Sequence, residues 1–186
     1  MSVGSWLRRC YWCYWSQPAH ARILYRLIYR RSIRAILQIG IPAPDWTRRL
    51  LSLAARQAHP ATVAYTGVDL FEARPEGLPK LSLKDAFATL RQDQVRVQLV
   101  PGDPDAALAR VANFLGPIDL VLIMADQEPS SLARAWRWLP RLLGSDAVVM
   151  LEERPADGRK RIWRPVPSEE LQALVAAANQ RRRRAA

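Results

Sequence analysis

Apolar residues fall along this chain in two alternating patterns. Five short runs rich in Val, Ile and Leu lie at about residues 34–39, 63–70, 95–100, 118–124 and 147–151. Between the runs, apolar residues recur at three- and four-residue spacing, which is typical of amphipathic helices. Strands that alternate with such helices predict a three-layer α/β/α domain with a doubly wound, mostly parallel sheet. We expect this sheet to be truncated after strand five, apart from one edge strand at about 161–166.

Residues that cap helices stand before each predicted helix after the first strand: Asp45, Ser82, Asp103, Ser130 or Ser131, and Ser168. Ser82 is followed by Asp85, which resembles a capping box with Asp in place of Glu. Pro140 lies late in the helix that we expect to end near Gly144. It should end or kink that helix, because proline lacks an N–H donor. The last helix is expected to run to about Asn179.

A further helix is predicted before the first strand, after Pro18. Its apolar positions are Ile23, Leu24, Leu27 and Ile28, and arginines occupy much of the remaining surface. Basic amphipathic helices also bind calmodulin-like partners or membrane surfaces. Because this helix directly precedes a core strand, we expect its apolar side to cover the sheet.

The domain organisation follows from composition. Residues 1–18 form an aromatic and basic N-terminal arm, residues 19–180 a single domain, and residues 181–186 a basic tail that we expect to be disordered. Aromatic and cationic arms suit a membrane interface or the stacking of bases. An alternative, which we favour, is that the rings cover an apolar edge of the domain, since exposed rings make a sticky patch.

The formal net charge of +11 is concentrated at the two ends of the chain. Residues 1–44 contain seven arginines and no acidic residue, whereas residues 45–153 carry a net charge of −2. Ends of this kind attract nucleic acids or anionic membrane surfaces in a salt-dependent way. They also suit a simpler role in keeping the protein dissolved.

The two cysteines, Cys10 and Cys13, are too few for a disulfide framework. Their C-x-x-C spacing suits a metal or redox pair, but only His20 lies nearby and a structural zinc site needs four ligands. We predict no metal site. The sequence contains no run of ~18 apolar residues and no signal-peptide pattern, so we expect a cytoplasmic protein without a transmembrane segment.

Candidate binding residues follow the predicted strands. Gly40 follows the first strand, Asp69 and Leu70 end the second, and Gly102 and Asp103 follow the third. Asp126 and Glu128 lie just beyond the fourth strand. In a doubly wound sheet, ligands bind outside the carboxyl ends of the strands. We therefore expect these residues to surround one crevice.

With these landmarks the chain resembles the class I S-adenosylmethionine-dependent methyltransferase superfamily over about residues 19–153. The resemblance implies a Rossmann-like fold and S-adenosylmethionine as cofactor. It also implies an acidic-x-Gly-x-Gly-x-Gly turn after strand one, here Gln38, Gly40, Pro42 and Pro44, and a ribose-binding acid, here Asp69. Residues implied to bind the cofactor are Gln38, Gly40, Asp69, Leu70, Gly102 and Asp103. Asp126 and Glu128 are the implied catalytic residues.

The glycine-rich turn is degenerate in this chain. Pro42 and Pro44 stand where the family has glycines, and each removes an N–H donor and excludes positive φ. Gln38 replaces a carboxylate with a neutral amide. Because each charge-assisted contact is worth about 1.5–3 kcal/mol, these changes predict weakened grip on the amino-acid part of the cofactor.

The sequence thus favours a methyltransferase or methyltransferase-like protein, with no methyl acceptor identified. The alternative is a non-catalytic Rossmann-like module that binds nucleic acid or an anionic surface through its Arg-rich ends. A third possibility is a protein-binding scaffold that uses the Trp-rich arm as an anchor. No Ser-His-Asp pattern is present, since neither His20 nor His59 follows a strand.

Overall fold

A computed structural model describes residues 7, 10–155 and 161–185 of the chain. Its centre is a six-stranded sheet in the order β3-β2-β1-β4-β5-β6. The strands are β1 (Ala35–Ile39), β2 (Val63–Asp69), β3 (Val95–Pro101), β4 (Ile118–Ile123), β5 (Leu143–Glu153) and β6 (Ile162–Pro165). The first five strands are parallel and β6 is antiparallel to β5. The doubly wound α/β fold class is confirmed, and the edge strand extends the sheet beyond strand five.

Helices cover both faces of the sheet. They are α1 (Arg22–Arg30), α2 (Pro44–Ala58), α3 (Leu83–Leu90), α4 (Pro104–Val111), α5 (Pro129–Ala135), α6 (Leu139–Leu142) and α7 (Ser168–Ala185). Short helical turns occur at Tyr11–Trp15, Ala19–Ala21, Phe71–Ala73 and Trp136–Trp138. None of the helices within the described residues combines the length and apolar character needed to cross a membrane.

Successive residues of the central strands point into two separate cores, because side chains alternate along a strand. In β4, Leu120 and Leu122 join the core under α1, α2 and α3. Val121 and Ile123 join the core under α4, α5, α6 and α7. This explains why the central strands are apolar at nearly every position, as expected for a parallel sheet covered on both sides.

The prediction that the first amphipathic helix covers the sheet is confirmed. Leu24 and Tyr25 of α1 are fully buried, and Ile28 is 1% exposed in the core shared with α2. Arg26 and Arg30 of the same helix are exposed. The helix thus belongs to the domain rather than to the arm that precedes it.

Two predicted helix starts are corrected. Helix α2 begins at Pro44 with Ala43 as its N-cap residue, so Asp45 lies in the first turn and is not the cap. There its negative charge interacts favourably with the positive N-terminal end of the helix dipole. Helix α5 begins at Pro129, because the Glu128 carboxylate accepts hydrogen bonds from the backbone N–H groups of Ser130 and Ser131. Both helices start at a proline, whose missing N–H costs nothing at this position.

The region around Pro140 and the C-terminal segment also differ from expectation. The predicted single helix is divided into α5, a helical turn and the short α6, which contains Pro140, and β5 already begins at Leu143. Helix α7 extends to Ala185, beyond its expected end near Asn179. Arginine favours helix, and extending an existing helix avoids the cost of nucleation. The turn expected around Gly158 lies outside the described residues.

Replacing Ile28 with Ala should lower the free energy of unfolding by about 2–4 kcal/mol, because a fully buried side chain leaves a cavity under α1. The matched control, Arg26→Ala on the exposed side of the same helix, should change it by less than about 0.5 kcal/mol. Urea denaturation followed by circular dichroism measures both. Equal stability of the two variants would show that α1 does not cover the core.

Candidate functional site

The candidate site lies where the sheet reverses its winding direction. Strand β1 is flanked by β2 on one side and β4 on the other, and the helices that follow these strands diverge at this point. A cavity of about 270 Å³ opens at the carboxyl ends of the strands. Its walls include Gly40, Asp69, Leu70, Asp103, Asp126 and Glu128. Six of the eight predicted site residues therefore meet around one cavity.

The turn after β1 is fixed against β2 by backbone contacts. The Gly40 N–H donates to the carbonyl of Val68 (2.7 Å), and the Ile41 N–H donates to Asp69 Oδ2 (2.7 Å). Strands β1 and β2 pair in parallel, which confirms the predicted juxtaposition of Gly40 and Asp69.

Glycine is required at position 40. Its φ of +88° lies in the left-handed region, where a side chain is strained, and a Cβ atom here would also meet the side chains of Met124 and Gln127. The space directly beside the backbone of Gly40 is thus taken by the side chain of Gln127, which follows β4.

Gln38, which was predicted to bind the cofactor, is not among the residues that line the cavity. It is fully buried, and its Nε2 donates to the Gly40 carbonyl (2.8 Å). Its Oε1 accepts hydrogen bonds from Thr47 Oγ1 (3.2 Å) and from the Tyr65 hydroxyl (3.1 Å). A carboxylate at this position would lack the donor that the Gly40 carbonyl needs. The amide therefore supports the turn from below.

Asp69 accepts four hydrogen bonds and is only 7% exposed. Two come from the backbone N–H groups of Ile41 (2.7 Å) and Phe71 (2.9 Å). The other two come from Arg74, whose Nε and Nη2 each lie 2.7 Å from a carboxylate oxygen. Burial alone would raise the pKa of Asp69, but the hydrogen bonds from Arg74, Phe71 and Ile41 outweigh it and hold that pKa below its usual value.

Arg74 connects the loop at residues 70–81 to the turn after β1. Its Nη2 also donates to the carbonyl of Ile41 (2.7 Å), and its Nη1 donates to the carbonyl of Pro79 (2.7 Å). Sequence reasoning missed this residue. The only local signal was an arginine five positions after a strand-end acid, in a loop rich in Pro and Gly.

Asp103 caps α4, as predicted. Its Oδ1 accepts hydrogen bonds from the N–H groups of Asp105 (3.1 Å) and Ala106 (3.3 Å) and from the Ser131 hydroxyl. Burial would raise the pKa of Asp103, but these hydrogen bonds lower it overall. Gly102, which does not line the cavity, donates its N–H to the Asp69 carbonyl (2.9 Å).

The starts of α4 and α5 are tied to each other. Besides the contact of Asp103 with Ser131, the Asp105 carboxylate accepts hydrogen bonds from Arg134 Nε (3.1 Å) and Trp138 Nε1 (2.9 Å). These contacts cross from α4 to the segment that begins at α5. Both helices begin at the rim of the cavity.

Asp126 and Glu128 lie on the same wall, but their partners differ. Asp126 pairs with Arg154 (2.8 Å) and Arg161 (2.7 Å), which sequence reasoning did not connect with the site. Glu128 caps α5, and hydrogen bonds from the Ser130 hydroxyl and from the N–H groups of Ser130 and Ser131 lower its pKa. Glu128 is thus a weaker base than an ordinary glutamate, because hydrogen bonds already stabilise its charged form.

Arg161 also joins the wall to the buried Glu152, at 2.9 Å. His20 lies on the other side of Glu152, with Nε2 at 3.4 Å. Burial lowers the pKa of His20 more than the Glu152 charge raises it. Within the described residues, no cluster of three or more His, Cys, Asp or Glu side chains is arranged to hold a metal ion.

Solved structures of low sequence identity share this architecture. A TehB-like SAM-dependent methyltransferase from Corynebacterium glutamicum aligns over 94% of this chain and 80% of its own, with 13% identity and a TM-score of 0.50. A SAM-dependent methyltransferase from Agrobacterium tumefaciens aligns over 87% and 49%, with 14% identity and a TM-score of 0.50. This chain has the class I methyltransferase fold.

At these identities the likeness establishes the fold alone. The MycE methyltransferase of the mycinamycin pathway, crystallised with Mg and SAH, aligns over 79% of this chain with 15% identity and a TM-score of 0.45. This chain spans 34% of the length of MycE. No protein-family model and no curated protein matches the sequence. The cofactor-binding and catalytic roles of single cavity residues therefore stay predictions.

The Asp69→Asn variant should lose about 3–5 kcal/mol of stability at pH 7, since it leaves Arg74 buried without its charged partner. Because the folded-state pKa of Asp69 lies below the unfolded value, this contribution is present above about pH 4 and disappears as the pH falls through the folded-state pKa. Urea denaturation of both proteins between about pH 7 and pH 2 measures the difference.

The exposed Asp45, which is in no ion pair of the described residues, gives the matched control Asp45→Asn. Its stability difference from the natural chain should stay below about 1 kcal/mol throughout, which is the size of a helix-dipole contribution. A pH-independent loss in Asp69→Asn would contradict the prediction.

Proposed function

We propose that this protein is an S-adenosylmethionine-dependent methyltransferase and that the cavity at the strand ends is its cofactor site. The observation that carries the proposal is the convergence of Gly40, Asp69, Leu70 and Asp103 around one cavity of about 270 Å³ on a methyltransferase fold. The two structures that share this fold at a TM-score of 0.50 are SAM-dependent methyltransferases, which supports the choice of ligand.

The lining fits the nucleoside part of this cofactor. Asp69 supplies a carboxylate at the end of β2, and Leu70, Leu78, Pro104 and Met124 supply apolar surface for a base. This fit requires Asp69 to give up one of its present hydrogen bonds. A carboxylate offers about four acceptor positions, and Asp69 already uses four. Ribose hydroxyls therefore compete with Arg74 for Asp69.

The lining offers fewer polar contacts to the amino-acid part of the cofactor. Gln38 is buried below the turn, and neither Pro42 nor Pro44 has an N–H group to donate. The contacts that commonly hold an α-carboxylate and an ammonium group are thus reduced on this side. Most of the binding free energy should come from the nucleoside.

S-Adenosylmethionine supplies an electrophilic methyl group on a sulfonium centre. The contribution of this chain is to position an acceptor and to take up its proton. Asp126 and Glu128 are the candidates for the second role, and either carboxylate must exchange a present contact to take up a proton, Asp126 with its two arginines and Glu128 with the start of α5. Arg154 and Arg161 orient the Asp126 carboxylate at the wall of the cavity.

Isothermal titration of the full chain tests this proposal. S-Adenosylhomocysteine should bind, and 5′-methylthioadenosine, which lacks the amino-acid tail, should bind no more than about tenfold more weakly, a loss of about 1.4 kcal/mol. Absence of heat with S-adenosylhomocysteine at about 1 mM would contradict the proposal. A loss of several hundredfold with methylthioadenosine would show that the tail is held after all.

Arg74→Gln should tighten the binding of S-adenosylhomocysteine by about fivefold or more, because the ribose then no longer competes with a bidentate guanidinium. The matched control is Arg154→Gln, which removes an arginine of the cavity wall that contacts Asp126 and not Asp69. Its affinity should stay within about twofold of the natural chain. Circular dichroism confirms that both variants are folded at the titration temperature. Weaker binding by Arg74→Gln would mean that Arg74 takes part in holding the ligand.

A further inference from the structure

The N-terminal arm has an inner side that is fixed to the domain. Trp12 packs edge-to-face on Tyr25 of α1, with ring centroids 5.4 Å apart, and Cys13 is buried. Arg22 Nε donates to the carbonyl of Ser16 (2.9 Å), at the end of the helical turn. The expectation that the arm covers an apolar edge holds for this inner side.

The outer side of the arm is apolar and exposed. Leu7 is 56% exposed, Tyr11 53%, Tyr14 57% and Trp15 66%. We call these four residues the aromatic face. Tyr11, Tyr14 and Trp15 belong to the helical turn Tyr11–Trp15, and the ring centroids of Tyr14 and Trp15 lie 6.3 Å apart. Several large apolar side chains exposed within one short segment indicate an interaction site.

The surroundings of the aromatic face are basic. Residues 1–44 contain no acidic side chain, and Arg26, Arg30 and Arg31 are exposed on and just after α1, the helix that the arm packs against. A second copy of this chain would bring two such arginine-rich surfaces together, which like-charge repulsion opposes. An anionic partner is favoured by the same charges.

Among anionic partners, a membrane surface suits the aromatic face better than a nucleic acid. Tyr and Trp combine an apolar ring with a polar tip, and both are enriched at the headgroup level of bilayers. Leu7 cannot stack on a base, yet it suits the boundary of the acyl chains. Single-stranded nucleic acids are usually bound in grooves lined by rings, whereas this face is the outside of a helical segment.

We propose that the aromatic face docks on an anionic membrane surface. The rings of Tyr11, Tyr14 and Trp15 lie at headgroup depth, and the arginines of α1 contact lipid phosphates. Neither the cavity nor any of its residues takes part. The inference is therefore independent of the proposed function.

Co-sedimentation of the full chain with vesicles tests the proposal. Vesicles of phosphatidylglycerol and phosphatidylcholine in equal amounts should bind the protein at least tenfold more tightly than vesicles of phosphatidylcholine alone. Binding should weaken in about 0.5 M NaCl, because salt screens the charges. The triple variant Tyr11→Ser, Tyr14→Ser and Trp15→Ser should lose at least tenfold in affinity.

Phe114 gives a matched control, since it is a large apolar residue that is 85% exposed outside the arm. The Phe114→Ser variant should bind vesicles within about twofold of the natural chain. All substituted side chains are exposed, so the fold should persist, and thermal unfolding checks this.

Three results would overturn the proposal. The first is vesicle binding that the triple substitution leaves unchanged. The second is an absence of vesicle binding together with single-stranded DNA binding that the triple substitution abolishes, which would assign the face to nucleic acid. The third is a concentration-dependent dimer in sedimentation velocity that the triple substitution dissociates, with no vesicle binding, which would assign it to a second copy.

Discussion

The ion pair between Asp69 and Arg74 holds three segments of this protein together. Burying a carboxylate is unfavourable unless its acceptor positions are matched by donors. Here two backbone amides and one guanidinium match all of them. Ile41 belongs to the turn after β1, Phe71 and Arg74 belong to the loop at residues 70–81, and Asp69 itself ends β2. All three segments border the cavity at the strand ends.

The other polar side chains of the site are likewise paired within the chain. The Gln38 amide hydrogen-bonds with the Gly40 carbonyl, Tyr65 and Thr47, and the Glu128 carboxylate caps the start of α5. Asp126 is neutralised by two arginines. All of these contacts are made within the chain. A ligand of this site must therefore exchange contacts rather than find unsatisfied groups, and its net affinity is reduced by what the chain gives up.

The sequence was sufficient for the strands, the order of the elements and the meeting of Gly40 with Asp69, because hydrophobic periodicity and parallel pairing are largely local rules. It was insufficient for Arg74, Arg161 and Gln38. Each of these acts through partners that are distant in sequence or lie in irregular loops, where spacing carries little information. Asp45 was misjudged because Pro44 makes an equally good helix start. The extension of α7 past Asn179 was missed because the charge of the C-terminal arginines hid their helix propensity, which favours continuation of the preceding helix.

The cross-links between α4 and α5 have a consequence for how the cavity changes size. Hydrogen bonds of Asp103 and Asp105 link the starts of α4 and α5. We therefore expect this side of the cavity rim either to move as one rigid unit or to stay in place. The opposite side is fastened mainly by one guanidinium. The mouth is therefore held unequally on its two sides, and we expect a change in its size to occur by separation of Arg74 from Asp69 on the side of the loop at residues 70–81.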